Sequence, residues 1–326
     1  MRKVCMTVFL CLMVASPAIA QTYKLKAGSV APQGTPWHKI MVRIKKRAEK
    51  KTDGRLKVKM YLGQALGGEK SIVKRCQGGT IGLVGVSAGA LATVVPELNA
   101  YEIPYLFDSF KQADKVMAAT RDVASAIMAE KGFVLYMWSE NGFRDFANSD
   151  KFVKVPSDMR GMKMRSQQSF VHTEMYKSLG ATPNPIAVPN VPESLANKVV
   201  KGYDNTPLYS YAAQWYKYIK YVTQSRHIYQ PAVIAYCKKW FDTLPADIQE
   251  ILMLNRDKDT RKGLKSIRAM NQQIVGKMKA EGVEFYKPSA AERNAMKKAT
   301  SGVEAKFRSR TGASGSRLMD AILKAR

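Results

Sequence analysis

Apolar and polar residues change their spacing in a regular order along this chain. Tyr23, Leu25 and Ala27 alternate with Lys24 and Lys26, the period of a half-buried strand. Thr35-Pro36 then opens a helix, with Thr35 as cap and Pro36 at the first helical position. Trp37, Ile40, Met41, Ile44 and Ala48 recur on one face of it. After the turn Thr52-Asp53-Gly54, residues 56–62 alternate again. A glycine-rich turn (Gly63, Gly67, Gly68) leads into a helix through Ile72 and Val73. The unbroken apolar run 81–86 reads as a strand covered on both faces. Strand, helix, strand, helix, strand predicts α/β layers with parallel pairing.

The alternation goes on with a helix near 110–131 and a strand near 133–138, and a second α/β block follows Asn141-Gly142. In that block 161–165 and 199–203 read as strands. Val171, Met175 and Leu179 mark a helix stopped by Gly180, and 207–217 reads as another helix. Helical spacing then runs over 245–282, with a break near Gly263 as the alternative. An unbroken helix of that length spans about 54 Å, enough to brace two lobes.

The N-terminus sets the expected compartment. Met1-Arg2-Lys3, twelve apolar residues and Ser16-Pro17-Ala18-Ile19-Ala20 form a secretory signal pattern, with cleavage expected after Ala20. Twelve residues reach about 18 Å as a helix, short of a bilayer core of roughly 30 Å. The chain has 326 residues, the length of two domains or one large one, and 46% are apolar, which excludes global disorder. Its formal charge is +27, which directs attention to anionic ligands or surfaces. The tail from Lys287 carries ten basic residues against three acidic ones. They are spread as on solvated helices, so no nucleic-acid arm is expected. Cys76 and Cys237 remain after cleavage. Nothing in their spacing brings them together, and unpaired, partly buried thiols are expected. No zinc-ligand spacing occurs, and no metal or cofactor is expected.

Three motifs bear on chemistry. Gly85-Val86-Ser87-Ala88-Gly89 matches the nucleophile elbow of serine esterases, with Asp204 and His227 following in triad order. No oxyanion segment lies upstream, and a packed strand–helix turn is the simpler reading. The stretch 63–71 approaches a phosphate-binding loop, but Glu69 places a carboxylate where phosphate sits. Arg144 and Arg165 each stand at the edge of a predicted strand in the second block. A guanidinium grips a carboxylate through two parallel hydrogen bonds, which lysine does not match.

The segments GTPWHK (34–39), YLGQALGGE (61–69), GGTIGLVGVSAGALA (78–92), VPELNAYEIPYLF (95–107), NGFRDFANS (141–149), PSDMRGMKMR (156–165), LGATPNPIAVP (179–189) and WFDTLPADIQEIL (240–252) follow one another over nearly the whole mature chain. In order and spacing they resemble DctP-type substrate-binding proteins of tripartite ATP-independent periplasmic (TRAP) transporters. The resemblance implies a two-lobed periplasmic binding-protein fold of α/β type, with hinge strands and a long helix bridging both lobes. Lobe I is expected over 21–141 and 230–269, lobe II over 142–229 and 270–326. The implied function is capture of a small organic acid in the inter-lobe cleft and its delivery to small and large membrane subunits, by a periplasmic monomer without enzymatic activity.

The family's carboxylate-binding arginine falls on Arg165, a second arginine on Arg144 and a ligand-facing amide on Asn205. Trp37 is expected to supply an apolar wall, and Ser87 stands where some relatives place an acidic group near the ligand. Around Asn205 the family's Gln, Glu and Pro are replaced, so the resemblance leaves the substrate open. The rival readings are a secreted serine esterase using Ser87 and a basic envelope protein that binds anionic polymers.

Overall fold

The computed structural model describes residues 21–326; the expected signal segment and its cleavage point lie outside them. Nine strands form one sheet. They are β1 (Tyr23–Ser29), β2 (Leu56–Tyr61), β3 (Leu83–Ser87), β4 (Phe133–Asn148), β5 (Lys163–Ser166), β6 (Thr182–Pro185), β7 (Gly202–Asn205), β8 (Tyr221–Cys237) and β9 (Glu284–Tyr286). The order is β2-β1-β3-β8-β4-β7-β5-β6, with β9 beside β8. The expected parallel pairing holds within each block, β1 with β2 and β3, and β5 with β6 and β7.

Two strands outgrow their expectation. β4 runs ten residues beyond Trp138, and β8 was not signalled by alternation at all. Together they form a long antiparallel ribbon through both lobes. Period-two patterning is missing because both faces of the ribbon are buried over most of its length, polar side chains included: Glu140, Arg144, Asp145, His227 and Gln230 are all covered, while Arg226 is exposed. The register slips between Glu140 and Gly142, opposite Pro231 and Gln230. Gly142 adopts φ +107°, which only glycine takes readily, and its backbone lies close to the Asn271 amide.

The helical expectations hold at Pro36–Lys51, where Thr35 accepts from the His38 amide, and at Glu69–Gln77 and Phe170–Ser178. The helix expected near 110–131 is two, Phe110–Ala119 and Arg121–Glu130, meeting at Thr120. The helix expected over 245–282 is also two, Ala246–Met253 and Arg256–Ala280. The break falls not at Gly263 but at Leu254-Asn255, where Asn255 is left-handed at φ 63°. Gly263 stays helical, and Ile40 packs where a side chain at that position would be.

The Arg256–Ala280 helix still bridges the lobes. It packs on the Pro36–Lys51 helix, on β4 and on the Pro207–Ala212 helix. Arg268 clamps Glu140 at the register slip (2.8 and 2.9 Å) and Asp114 beyond it, while Asn271 bonds the Asn141 carbonyl and the Leu208 amide. The Val303–Ala325 helix packs against the Pro96–Glu102 turn as well as the Phe170–Ser178 helix, burying Phe307, Leu318, Met319 and Ile322.

The expectation of unpaired cysteines is corrected: Cys76 and Cys237 form a disulfide with Cα atoms 5.4 Å apart. β3 pairs antiparallel with the end of β8 and supports the Glu69–Gln77 helix, so topology, not sequence proximity, brings the two sulfurs together.

Candidate functional site

A chamber of about 670 Å³ lies between the lobes, beside the register slip of the ribbon. All five residues singled out in the sequence line it: Trp37, Ser87, Arg144, Arg165 and Asn205. Their surroundings differ sharply.

Arg165 comes from β5 and is 2% exposed. Its Nε and Nη2 donate to the Ile186 carbonyl (3.1 and 2.9 Å), and its guanidinium lies over the Trp215 ring at 5.1 Å. No carboxylate among the described residues stands within ion-pair distance of it. Burial, reinforced by the nearby Arg144 cation, pushes its pKa down to about 10, so it stays charged at neutral pH.

Arg144 is 1% exposed and fully engaged by protein. Nε donates to Asp204 Oδ2 (2.5 Å), Nη2 to the Asp204 carbonyl, and Nη1 to Gln230 (2.7 Å) and Asn205 (3.3 Å). Burial would raise the Asp204 pKa, but Arg144 and then the two histidines beside it outweigh burial and hold it well below the usual range. Asp204 also accepts from Tyr176 (2.9 Å) and meets His227 at 3.3 Å and His172 at 3.6 Å. His172 reaches Glu102 at 2.6 Å. Burial would lower the His172 pKa, but Asp204 and Glu102 raise it overall, whereas burial pushes His227 down to about 4.

Asn205 spends its carbonyl oxygen on Arg144 and the Thr206 amide, which leaves its amide nitrogen without a protein acceptor. Trp37 anchors its indole N–H on the Glu140 carbonyl (2.8 Å) and turns its ring against Tyr209.

Ser87 is not a nucleophile in waiting. Its hydroxyl donates to Glu69 (2.9 Å), accepts from Gln167 (2.8 Å) and caps the Ala88–Leu91 turn. Asp204 and His227 do meet, as the triad order suggested, but His227 bonds Ser225 and stacks on Phe146 at 3.8 Å instead of serving Ser87.

Sequence reasoning missed Gln167, Gln230, Asn141 and Tyr209, and read Glu69 only as an obstacle to phosphate. Glu69 accepts from both the amide and the hydroxyl of Ser87, and burial raises its pKa against those bonds. Gln230 donates to Gln167 (2.6 Å), and Gln167 donates to Ser87, so amides and hydroxyls connect the two lobes along one side of the chamber. The one available signal was the position of Glu69 at a helix start directly after a Gly-Gly turn.

The family model for DctP, the bacterial extracellular solute-binding protein family 7, matches residues 27–310. A solute-binding protein of Verminephrobacter eiseniae is 33% identical over 244 residues, covering 71% of this chain and 72% of that protein. The sugar-acid-binding protein of Advenella mimigardefordensis, solved in complex with galactonate, superposes with a TM-score of 0.87 at 26% identity, over 94% of this chain and 99% of that one. A TRAP periplasmic solute-binding protein of Polaromonas, solved with D-erythronate, superposes with a TM-score of 0.85 at 28% identity, over 92% and 98%. All three are binding proteins, and nothing among these relatives supports the esterase or polymer-binding readings. The chain belongs to family 7 of the bacterial extracellular solute-binding proteins, the DctP family, and is a transport binding protein, not an enzyme.

Proposed function

We propose that the chain is the periplasmic receptor of a TRAP transporter and that its ligand is a polyhydroxylated monocarboxylate, a sugar acid. The observation that carries this reading is Arg165: a buried cation, without a carboxylate partner, on the wall of an inter-lobe chamber. Leaving such a charge unpaired is costly, and an incoming carboxylate removes that cost. Nη1 and the free edge of Nη2 offer it a two-point grip, and the Asn205 amide a further bond. Arg144, whose donors the protein already uses, holds Asn205 and Gln230 in place and adds positive potential.

The rest of the wall favours hydroxyls over a second acid. Glu69, Ser139, Asn141, Gln167 and Gln230 line it, and no second unpaired cation does. A second carboxylate would find the Glu69 carboxyl on this wall and no unpaired cation to receive it. Trp37 and Tyr209 present ring surface to the carbon skeleton, while the fully buried Trp215 backs the Arg165 guanidinium. The galactonate and D-erythronate complexes of the two relatives agree with this class. The disulfide suits an oxidising compartment, and the N-terminal pattern suits export with cleavage after Ala20. In this reading the lobes are a monomer's two jaws. They hinge at the ribbon's register slip, near the expected boundaries at 141/142 and 229/230, and the C-terminal helix ties both.

Calorimetric titration tests it. Galactonate, erythronate and glucuronate are expected to bind at least tenfold more tightly than succinate. Succinate binding more tightly than every sugar acid overturns the assignment.

A further inference from the structure

Two further cavities adjoin the chamber in succession on the Arg165 side. A narrow neck of about 270 Å³ shares Glu69, Arg165, Gln167 and Val188 with the chamber. At its other end the neck shares Lys70, Gln168 and Ala187 with an open surface groove of about 980 Å³. The neck therefore stands between the solvent-facing groove and the unpaired guanidinium. The lobes meet at its rim, where the Gly68 backbone lies against Ala187 and Pro189.

The groove is cationic in a specific way. Lys70, Lys74 and Arg75 project from one helix onto it, all three exposed. None has a carboxylate within ion-pair distance among the described residues. The one acidic residue of the segment, Glu69, is turned inward onto Ser87. Unpaired exposed cations occur elsewhere on the chain too, as at Lys262, Lys265 and Lys277, so what distinguishes these three is their place on the groove that adjoins the neck. A low-dielectric cleft rimmed by uncompensated charge of one sign raises the local concentration of the opposite ion and speeds its capture.

We infer that Lys70, Lys74 and Arg75 form an anion-collecting mouth, a weak outer site from which the ligand carboxylate passes along the neck to Arg165. The inference rests on the proposed anionic ligand and adds a route and a kinetic role to it. The outer site acts on association. Once the lobes hold the ligand at Arg165, these three cations contribute little to its retention.

Stopped-flow binding of galactonate, followed through the tryptophan fluorescence of Trp37 and Trp215, tests this. The triple variant Lys70→Gln, Lys74→Gln, Arg75→Gln is expected to associate about tenfold more slowly at low ionic strength. The gap to wild type should shrink below about twofold at half-molar salt, where screening is short-ranged. Its dissociation rate should stay within about twofold of wild type. A control removing the same charge from exposed positions of the long helix, Lys262→Gln, Lys265→Gln, Lys277→Gln, should retain most of the wild-type association rate.

Equal slowing in the two triples overturns the mouth, because net charge alone then explains the rate. An unchanged rate in the first triple also overturns it, while galactonate binding to wild type leaves the sugar-acid reading standing. No binding of any tested acid to wild type overturns both. The salt dependence of the wild-type association rate needs no variant: a rate independent of ionic strength contradicts the inference.

Discussion

Two buried arginines, 144 and 165, stand on the same chamber wall and differ in almost everything except burial. Around Arg144 the protein supplies a carboxylate, a backbone carbonyl and two side-chain oxygens, so the cation is satisfied before any ligand arrives. Around Arg165 it supplies one carbonyl and an aromatic face, and the charge is left over. The first arrangement is that of a group that holds a fold together; the second is that of a group kept ready for a partner from outside. Burial and residue type alone do not separate structure from function. The unused valence does.

The contrast breaks most visibly on the Arg144 side. Arg144→Met leaves Asp204 buried without its main counter-charge, and stability should fall by about 3–5 kcal/mol, read as a lower melting temperature and denaturant midpoint. Acid should imitate the lesion. The Asp204 pKa is held below its unfolded value, so the stability it contributes is present above about pH 4 and is lost as pH falls through the depressed value. Thermal melts between pH 6 and pH 2 should show that loss in wild type and a shallower one in Asp204→Asn.

Arg165→Met should do the reverse. It removes an uncompensated buried charge, so the ligand-free protein should melt no lower than wild type. Affinity for galactonate should fall by at least a hundredfold, about 3 kcal/mol, measured by calorimetry. A melting temperature that drops as far as in Arg144→Met would erase the distinction between the two sites. Arg165→Lys sharpens it. The charge survives but the planar fork is lost, and about a tenfold loss of affinity is expected. Glu69→Gln is the mildest change. Removing the Glu69 carboxyl from the chamber wall should narrow the preference for sugar acids over succinate by roughly threefold, about 0.6 kcal/mol, in competition titrations.

How much of this was legible in the sequence follows from where its patterning signals survive. The Pro36–Lys51 helix and strands β1 and β2 meet water on one face, so alternation and a capped helix start announce them, while the buried β3 shows as an unbroken apolar run. β8 and the second half of β4 carry little period because both faces are buried over most of their length, with Arg226 exposed, and they form the ribbon that joins the lobes. The break at Asn255 opens a stretch, 255–263, with no apolar residue, so apolar spacing carries no information there, and a single left-handed residue leaves no trace in periodicity. The disulfide was invisible for a different reason: its partners lie 161 residues apart and meet only through strand order.

The five site residues were named mostly through family resemblance, and the structure gathers all of them around one chamber. Composition gave no way to tell that Asp204 satisfies Arg144 while Arg165 has no such neighbour. Gln167 and Gln230 were silent because a glutamine acquires meaning only from what it bridges.

A crystal structure of the protein with galactonate addresses the central claim most directly. The ligand carboxylate is expected within hydrogen-bond distance of Arg165 Nη1 and Nη2, its hydroxyls toward Glu69 and Gln230, and the Arg144–Asp204 pair undisturbed. A carboxylate seated elsewhere in the chamber, with Arg165 touching no ligand oxygen, contradicts it.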